Sequence, residues 1–98
     1  MNKAIVFSNC TEGSDEEFNR WYDEIHAPEV IQKTPITGCQ RYRRSDAQMT
    51  DGAKFRYLAI YEFDCDADSV KKALGESSFE MTDTLGEAEI VFFDALGG

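Results

Sequence analysis

One histidine beside a run of aromatic residues is the part of this chain best suited to acid–base chemistry. Phe18, Trp21, Tyr22 and Ile25 recur at helical spacing, and His26 lies at the border of the stripe that they form. An imidazole in that position is half desolvated and still reaches a cavity, which suits a general base working near neutral pH. The other interpretation makes His26 a plain helix-border residue, hydrogen bonded to water or to a carbonyl freed by a following proline.

Several side chains are candidates to assist this histidine. Asp23, three residues earlier on the same helix, is placed to hold the ring or to stabilise its charged form. Hydrogen bonds to a substrate oxygen are available from Asn9, at the end of the first predicted strand, and from Tyr57 and Tyr61 on a later strand. These three residues are therefore predicted to bind substrate.

Two aromatic residues one turn before the histidine each have two possible roles. Trp21 is expected first as a core residue, because its bulk is costly to expose, and second as a residue near the substrate. Tyr22 carries a hydroxyl that needs a partner if it is buried, and a cavity rim provides one. Both residues are kept as substrate-binding candidates.

Composition limits the classes of partner and cofactor. The 98 residues make one domain, residues 1–98, with 42% hydrophobic residues and a net charge of −9, which disfavours nucleic acid and membrane surfaces. Three widely spaced cysteines suggest no disulfide framework, and a single histidine disfavours a multi-histidine metal centre. We expect no metal and no cofactor. No apolar run approaches the ~20 residues of a membrane span, and the first residues lack a signal-peptide pattern, so a cytoplasmic protein is expected.

Strand and helix signals alternate along the chain. The predicted elements are a strand over Lys3 to Asn9, a helix from Ser14 to Thr34-Pro35, strands over Ile36 to Arg44 and Lys54 to Asp64, a second helix capped by Asp66, and a strand over Ala88 to Asp94. Ser14-Asp15-Glu16-Glu17 has the form of a capping box, and Pro28 must kink the first helix or restart it as a first-turn residue. Gly75 is predicted to stop the second helix or to break it before a further turn around Phe79 and Met81.

This order predicts a ferredoxin-like βαββαβ fold of the α+β class, with an antiparallel four-stranded sheet and helices on one face. The strands are apolar on both faces, as Ile5 and Phe7 against Ala4 and Val6 illustrate. A sheet with helices on one face leaves the other face open, so we expect a homodimer in which two sheets stack and a pocket lies between sheet and helices.

A resemblance to a known family covers most of the chain. The segment Phe18 to Val30, which reads FNRWYDEIHAPEV, and the following segment Thr34 to Tyr42 are similar to the W-Y-D-x-x-H-x-P-E block and the P-G-x-x-x-x-R-Y strand of EthD-like proteins. These proteins belong to the dimeric α+β barrel superfamily. One departure is Ile36-Thr37 before Gly38, where the family commonly has Gly directly after Pro.

The resemblance implies a ferredoxin-like dimer with one cavity per subunit. It also implies that His26, the histidine of the block, is a catalytic residue, and it adds Arg41 to the substrate-binding candidates because the family strand includes it. From the residues alone, the cations Arg41, Arg43, Arg44, Lys54 and Arg56 fit a solvated edge or salt bridges at a dimer contact better than an anionic-substrate site.

The function predicted from these observations is proton transfer by a small cofactor-free enzyme on a hydrophobic cyclic, aromatic or polyketide-like molecule. His26 would abstract the proton and Asp23 would favour the imidazolium, as in a cyclase, dehydratase or isomerase. The alternatives are a cofactor-independent monooxygenase, a non-catalytic accessory protein that binds a small hydrophobic metabolite and, as a lesser possibility, a haem protein with His26 as the axial ligand.

Overall fold

Strands and helices alternate over residues 1–97, which are the residues that the computed structural model describes. The elements are β1 (Asn2–Cys10), α1 (Asp15–Trp21), a π-helical segment (Tyr22–His26), α2 (Ala27–Lys33), β2 (Gly38–Arg43), β3 (Tyr57–Phe63), α3 (Ala67–Glu76) and β4 (Leu85–Phe93). The strand order in the sheet is β2-β3-β1-β4, with antiparallel neighbours throughout. The predicted element order and ferredoxin-like α+β fold are confirmed. Within these residues, no helix is both long and apolar enough to cross a lipid bilayer.

α1 begins without the predicted capping box. Ser14 occupies the N-cap position, but its side chain makes no bond to the amides of α1. Its hydroxyl donates instead to the Thr11 carbonyl at 2.6 Å and lies 2.7 Å from the Thr11 hydroxyl. The capping-box prediction is wrong because the preceding turn supplies a partner that competes with the helix amides.

Pro28 restarts the helix rather than kinking it. It lies in the first turn of α2, where the missing amide proton has no intrahelical partner to lose. The wider turn of Tyr22–His26 joins α1 to α2, and the Ala27 amide donates to the Tyr22 carbonyl five residues back. Thr34 then ends α2 in an extended conformation, as the Thr34-Pro35 pair predicts.

The remaining boundaries follow the sequence with small shifts. The Asp66 carboxylate caps α3 by accepting from the Ser69 amide at 2.8 Å, and the Ser69 side chain together with this amide lowers the pKa of that carboxyl. α3 continues through Gly75 to Glu76, so Gly75 does not stop it. β2 and β3 are shorter than predicted, because residues 44–56 form the connection between them, and β4 begins at Leu85 instead of Ala88.

The two faces of the sheet differ in cover. On β3, Tyr57, Ala59, Tyr61 and Phe63 are buried and alternate with half-buried neighbours. This buried face packs with residues of the helices, namely Phe18, Trp21, Tyr22, Ala27, Val30 and Val70, to form the core. The opposite face stays partly accessible and carries a group of apolar side chains, Ile5, Phe7, Leu58, Ile60, Val91 and Phe93. The same face also carries Lys3, Glu62 and Glu89, so it is apolar over part of its area.

Cross-strand register separates the helix side of the sheet into two ends. Ala88, Ser8, Tyr57 and Arg43 lie opposite one another in a single row across β4, β1, β3 and β2. Neighbouring strands are about 4.8 Å apart, so the ends of this row are about 14 Å apart. The helix side of the sheet therefore has an apolar end near β4 and an arginine-rich end near β2.

Candidate functional site

A cavity of about 260 Å³ lies between the sheet and the helices. Its lining is mostly apolar and consists of Ala4, Val6, Ser8, Trp21, Tyr22, His26, Val30, Ile36, Tyr61, Leu74, Phe79, Met81, Leu85, Ala88 and Ile90. Four of the predicted site residues, Trp21, Tyr22, His26 and Tyr61, meet here. The volume and lining suit a small hydrophobic ligand oriented by a few polar groups.

His26 is held among three aromatic rings. Its imidazole stacks on the indole of Trp21, with ring centroids 4.6 Å apart and an angle of 19° between the planes. Tyr22 and Phe79 meet the imidazole edge-on at 5.0 and 5.8 Å. Nδ1 of His26 is buried and has no hydrogen-bond partner among the described residues. A buried nitrogen without a partner is uncommon in proteins and marks this ring as a functional candidate.

Burial controls the charge of the imidazole. Desolvation lowers the pKa of His26 below its usual value of 6.5, and the nearby Glu29 carboxylate opposes this only in part. The ring is therefore neutral at neutral pH and has a lone pair available to accept a proton.

The π-helical turn explains how His26 reaches Trp21. In a regular α-helix, the side chains that meet are three or four residues apart. Trp21 and His26 are five apart, and the i to i+5 geometry of Tyr22–His26 brings such residues together. Sequence spacing alone placed the histidine at the border of the stripe, whereas the wider turn stacks it on the stripe.

Two tyrosine hydroxyls meet at the wall of the cavity. The Tyr61 hydroxyl donates to the Tyr22 hydroxyl at 3.0 Å, and both side chains are buried. Burial raises the pKa of Tyr22 to about 12 and raises the pKa of Tyr61 further. Both hydroxyls stay protonated at neutral pH, so this pair can donate a hydrogen bond but cannot supply a phenolate base.

Residues 77–81, here called the cover segment, close one side of the cavity. Phe79 and Met81 contribute lining side chains, and the backbone is tied to the helices. The Trp21 Nε1 donates to the Glu80 carbonyl at 2.9 Å, and the Glu80 amide donates to Glu29 Oε1 at 2.7 Å. A third bond runs from Lys33 Nζ to the Ser78 carbonyl. The cover segment is therefore positioned by side chains of the same helices that carry His26.

Asp23 lies away from the role predicted for it. Its Oδ1 accepts from Nη1 of Arg41 at 3.0 Å, so it does not hold the imidazole. The carboxylate whose charge acts on His26 is Glu29, three residues after the histidine. The sequence did not predict either of these pairings, and the catalytic role of Asp23 stays a prediction.

Arg41 and Tyr57 belong to a separate polar depression of about 230 Å³, lined by Asn19, Asp23, Arg41, Tyr42, Arg43 and Tyr57. Nη2 of Arg41 donates to Asn19 Oδ1 at 2.8 Å, and the guanidinium carbon lies 4.3 Å from the ring centroid of Tyr22. The Tyr57 hydroxyl donates to the Asp15 carboxylate and accepts from Asn19 Nδ2 at 3.2 Å. Neither Arg41 nor Tyr57 lines the His26 cavity.

Asn9 has a structural role in the hairpin. Its Nδ2 donates to the Lys54 carbonyl at 3.0 Å, and its Oδ1 accepts from the Arg56 amide at 2.8 Å. Both bonds pin the start of β3 to the end of β1, and Asn9 does not line the His26 cavity.

The sequence did not predict three residues that belong to the site. Glu29, Phe79 and Met81 shape the site, and neither the cover segment nor the approach of β4 has a periodic pattern that would have revealed the contact. The signal that existed was the i, i+3 spacing of His26 and Glu29. No cluster of three or more His, Cys, Asp or Glu that could hold a metal occurs within residues 1–97.

Comparison with known proteins gives likeness of fold without likeness of sequence. No family model and no curated protein sequence matches the chain. Among solved structures, the haem-degrading protein MhuD of Mycobacterium tuberculosis, with two haems bound in its active site, matches with a TM-score of 0.66 and 13% identity over 100% of this chain and 98% of that one. A NIPSNAP domain protein from Burkholderia xenovorans matches with a TM-score of 0.63 and 16% identity over 97% and 94%.

The chain has a ferredoxin-like α+β fold, which it shares with these structures. A variant of MhuD with two manganese protoporphyrin IX molecules per active site agrees, with a TM-score of 0.65 and 13% identity over 100% of this chain and 97% of that one. At these identities the likeness establishes the fold and not the activity. The matches do not single out EthD-like proteins, so membership of that family stays a prediction.

Proposed function

We propose that this chain is a small EthD-like, cofactor-free enzyme in which His26 moves a proton on a hydrophobic cyclic, aromatic or polyketide-like molecule. The observation that carries the proposal is the environment of the imidazole, which faces an apolar cavity, is neutral through burial and has an unpartnered Nδ1. Perturbed titratable groups in a cavity are typical of catalytic sites. The apolar lining favours a ring system over a charged metabolite.

In the proposed reaction, neutral His26 takes a proton from a carbon next to a carbonyl. The C–H bond breaks, its electron pair moves toward the carbonyl oxygen as an enolate, and the proton stays on the imidazole. The protonated Tyr22–Tyr61 pair is a hydrogen-bond donor in the lining for the developing oxyanion. Return of the proton to another carbon gives an isomerase, and loss of a β-hydroxyl as water gives a dehydratase.

Glu29 takes the positioning role that the sequence had suggested for Asp23. Its negative charge stabilises the imidazolium that forms in the transition state, because it raises the proton affinity of His26 against the effect of burial. Glu29 itself stays ionised, since the Glu80 amide and Lys33 hold its pKa below the usual range. Glu29 acts through His26 and is not proposed to touch the substrate.

Exchange of a carbon-bound proton with solvent tests the reaction directly. The probe is 2-tetralone, a bicyclic ketone, and deuterium uptake from D₂O at the carbons beside its carbonyl is followed by proton NMR. We expect the wild-type protein to accelerate exchange above buffer and His26→Gln to lose about 10²- to 10⁴-fold of that acceleration. Asp23→Asn is the matched control and should retain it.

Two other results would favour a different function. Saturable binding of 2-tetralone with no exchange above buffer would favour the accessory binding protein. Oxygen uptake with an electron-rich phenol, such as 1-naphthol, would favour the cofactor-independent monooxygenase. Full exchange in a folded His26→Gln variant would remove the histidine from the mechanism.

A homodimer is part of the proposal. The sheet face with Ile5, Phe7, Leu58, Ile60, Val91 and Phe93 is apolar and lies opposite the helices. A second copy of the same face is its natural cover, because an isologous contact buries both faces at once. The mass measured by light scattering should be twice 11.1 kDa.

Charge at the centre of that face should separate the subunits. Ile5 lies on the central strand β1, and we expect Ile5→Lys to give a monomer. Ile31→Lys is the matched control, because Ile31 is on α2 and already 38% exposed. A monomeric wild-type protein, or a dimer that survives Ile5→Lys, would contradict the stacked sheets.

Two of the structural matches carry porphyrins, which makes haem a ligand to compare with the cavity. The described lining does not fit it: none of the residues that line the cavity is Lys or Arg to meet two propionates, and the His26 ring is stacked flat on Trp21. Haem added to the protein should therefore give no Soret shift that depends on His26.

A further inference from the structure

A second pocket lies at the arginine-rich end of the sheet, away from the His26 cavity. This arginine pocket has a volume of about 780 Å³ and is lined by Arg43, Arg44, Ser45, Asp46, Ala47 and Arg56. Half of its lining residues are arginines, and its one carboxylate is that of Asp46. No residue of the arginine pocket lines the His26 cavity.

Strand pairing brings the three arginines to the same end of the sheet. Arg43 is the last residue of β2, and the Arg44 amide donates to the Arg56 carbonyl at 2.8 Å across the hairpin. Nη1 of Arg44 donates to the carbonyls of Ala53 and Phe55 at 2.8 and 3.2 Å. Carbonyls fix the side chain without cancelling its charge, so Arg44 is oriented and remains fully cationic.

Few of these cations are neutralised within the subunit. Arg56 Nε lies 3.4 Å from Asp15 Oδ2, in a pair that is about half exposed. Among the described residues, Arg43 and Arg44 have no salt bridge to a carboxylate. This is unexpected in a chain with 19 acidic residues against 10 basic ones. The solvated-edge interpretation holds for Arg41, Lys54 and Arg56, which pair with carboxylates, and it leaves Arg43 and Arg44 unexplained.

Two cations of this hairpin lack a carboxylate partner. Residues 41–56 contain five Lys and Arg and two Asp, and carboxylates from outside the segment pair with three of these cations, namely Asp23 with Arg41, Glu87 with Lys54 and Asp15 with Arg56. Arg43 and Arg44 have no such pair among the described residues, so their charges are available to an anion. Guanidinium forks match the oxygen geometry of phosphate with paired hydrogen bonds.

We propose that the arginine pocket binds the phosphate group of a small phosphorylated molecule, separately from the His26 cavity. A tetrahedral oxyanion offers enough oxygens for three arginines and supplies the negative charge that Arg43 and Arg44 lack among the described residues. Long nucleic acid chains are not the ligand, because the rest of the protein is strongly acidic and repels an extended polyanion.

Titration with inorganic phosphate tests the pocket. Backbone amide shifts of residues 43–47 are followed by NMR at constant ionic strength, with sodium chloride as the reference salt. We expect a saturable shift with phosphate and none with chloride. Arg43→Gln should weaken binding about tenfold, since a charge-assisted hydrogen bond is lost, whereas Arg20→Gln, on α1, should leave it unchanged.

The result that overturns the proposal is a shift that grows linearly, equals that of chloride, or persists unchanged in Arg43→Gln. Arg44 also supports the hairpin through its two carbonyl contacts, so Arg44→Lys is the second variant, in which the charge stays and the fork is lost. His26→Gln should bind phosphate as the wild-type protein does. That independence separates a failure of this proposal from a failure of the proton-transfer proposal.

Discussion

The two ends of the helix side handle charge in opposite ways. In the cavity near β4, burial keeps the only imidazole neutral and leaves Nδ1 without a partner. In the polar depression near β2, Asp23 and Asn19 accept hydrogen bonds from the Arg41 guanidinium, whose side chain is only 14% exposed and whose Nε has no partner among the described residues. One fold thus supports a site that suppresses charge and a site that pairs it, on two sides of the same tyrosine ring.

The ring of Tyr22 separates these two environments. The Arg41 guanidinium lies over the ring at 4.3 Å, and the His26 imidazole meets the same side chain edge-on at 5.0 Å. The negative face of an aromatic ring favours a cation, and its positive edge does not. Tyr22 therefore supports the cation on one side and the neutral imidazole on the other.

Phe18→Ala should damage both regions and gives the largest expected effect. Phe18 is fully buried and contacts Trp21, Tyr22, Tyr57 and the Arg41 guanidinium. Removing its ring should lower the free energy of unfolding by about 3–5 kcal/mol, as measured by urea denaturation. Ile31→Ala, at an exposed position of α2, is the control and should cost far less. Equal losses in the two variants would mean that Phe18 does not join the regions.

Arg41→Gln should damage only the polar depression. It removes the bonds to Asp23 and Asn19 and the contact with the Tyr22 ring, so we expect a loss of about 1–3 kcal/mol in the free energy of unfolding. Arg43→Gln removes a neighbouring arginine of the same strand without a described salt bridge and should be close to neutral. Proton exchange on 2-tetralone should stay near the wild-type rate in both, because neither arginine lines the cavity.

The smallest expected effect is a pH dependence that distinguishes the two regions. Above pH 6.5 the imidazole is neutral in the folded and the unfolded chain, so His26 adds no pH dependence. As the pH falls below 6.5, the unfolded chain binds the proton first, because the pKa of His26 is lowered in the folded state. Stability should therefore fall between pH 6.5 and that lower pKa.

Comparison of variants assigns this window to the cavity. Thermal unfolding of His26→Gln should lack the fall below pH 6.5. The pKa of Asp15, held below its usual 3.8 by the Tyr57 hydroxyl and by Arg56, gives the other region its own loss of stability below that value. That loss should remain in His26→Gln and disappear in Asp15→Asn. A His26→Gln profile identical to that of the wild-type protein would show that the ring is not desolvated.

The element order was readable from the sequence because each signal is local. The β-branched run of β1, the Asp66 cap and the Thr34-Pro35 stop depend on neighbours in the chain, and all three predict what is observed. The Ser14 capping box failed because Thr11, a residue outside the motif, competes for the hydroxyl. Local rules hold where no second partner lies nearby.

Only part of the site could be predicted from the sequence, for a related reason. Trp21, Tyr22, His26 and Tyr61 converge as expected, since helix and strand periodicity point them toward the same space. The carboxylate that acts on the histidine, Glu29, was not predicted, because a π-helical turn carries no periodic signature and the regular α-helix was assumed. Phe79 arrives from a segment without regular structure, and its approach depends on tertiary bonds to Trp21 and Glu29.

The segment Tyr22–His26 lets the first helical stretch hold one more residue than a regular helix would. Because the Ala27 amide bonds to the Tyr22 carbonyl five residues back, the wider turn takes up that residue without changing the phase between α1 and α2. Deleting one residue between Tyr22 and Ala27 would turn this bond into an ordinary one over four residues, so that Val30 and the residues that fasten the cover segment would keep their direction. The length of this turn is thus free to differ by one residue while the aromatic stripe stays in register with the rest of the cavity.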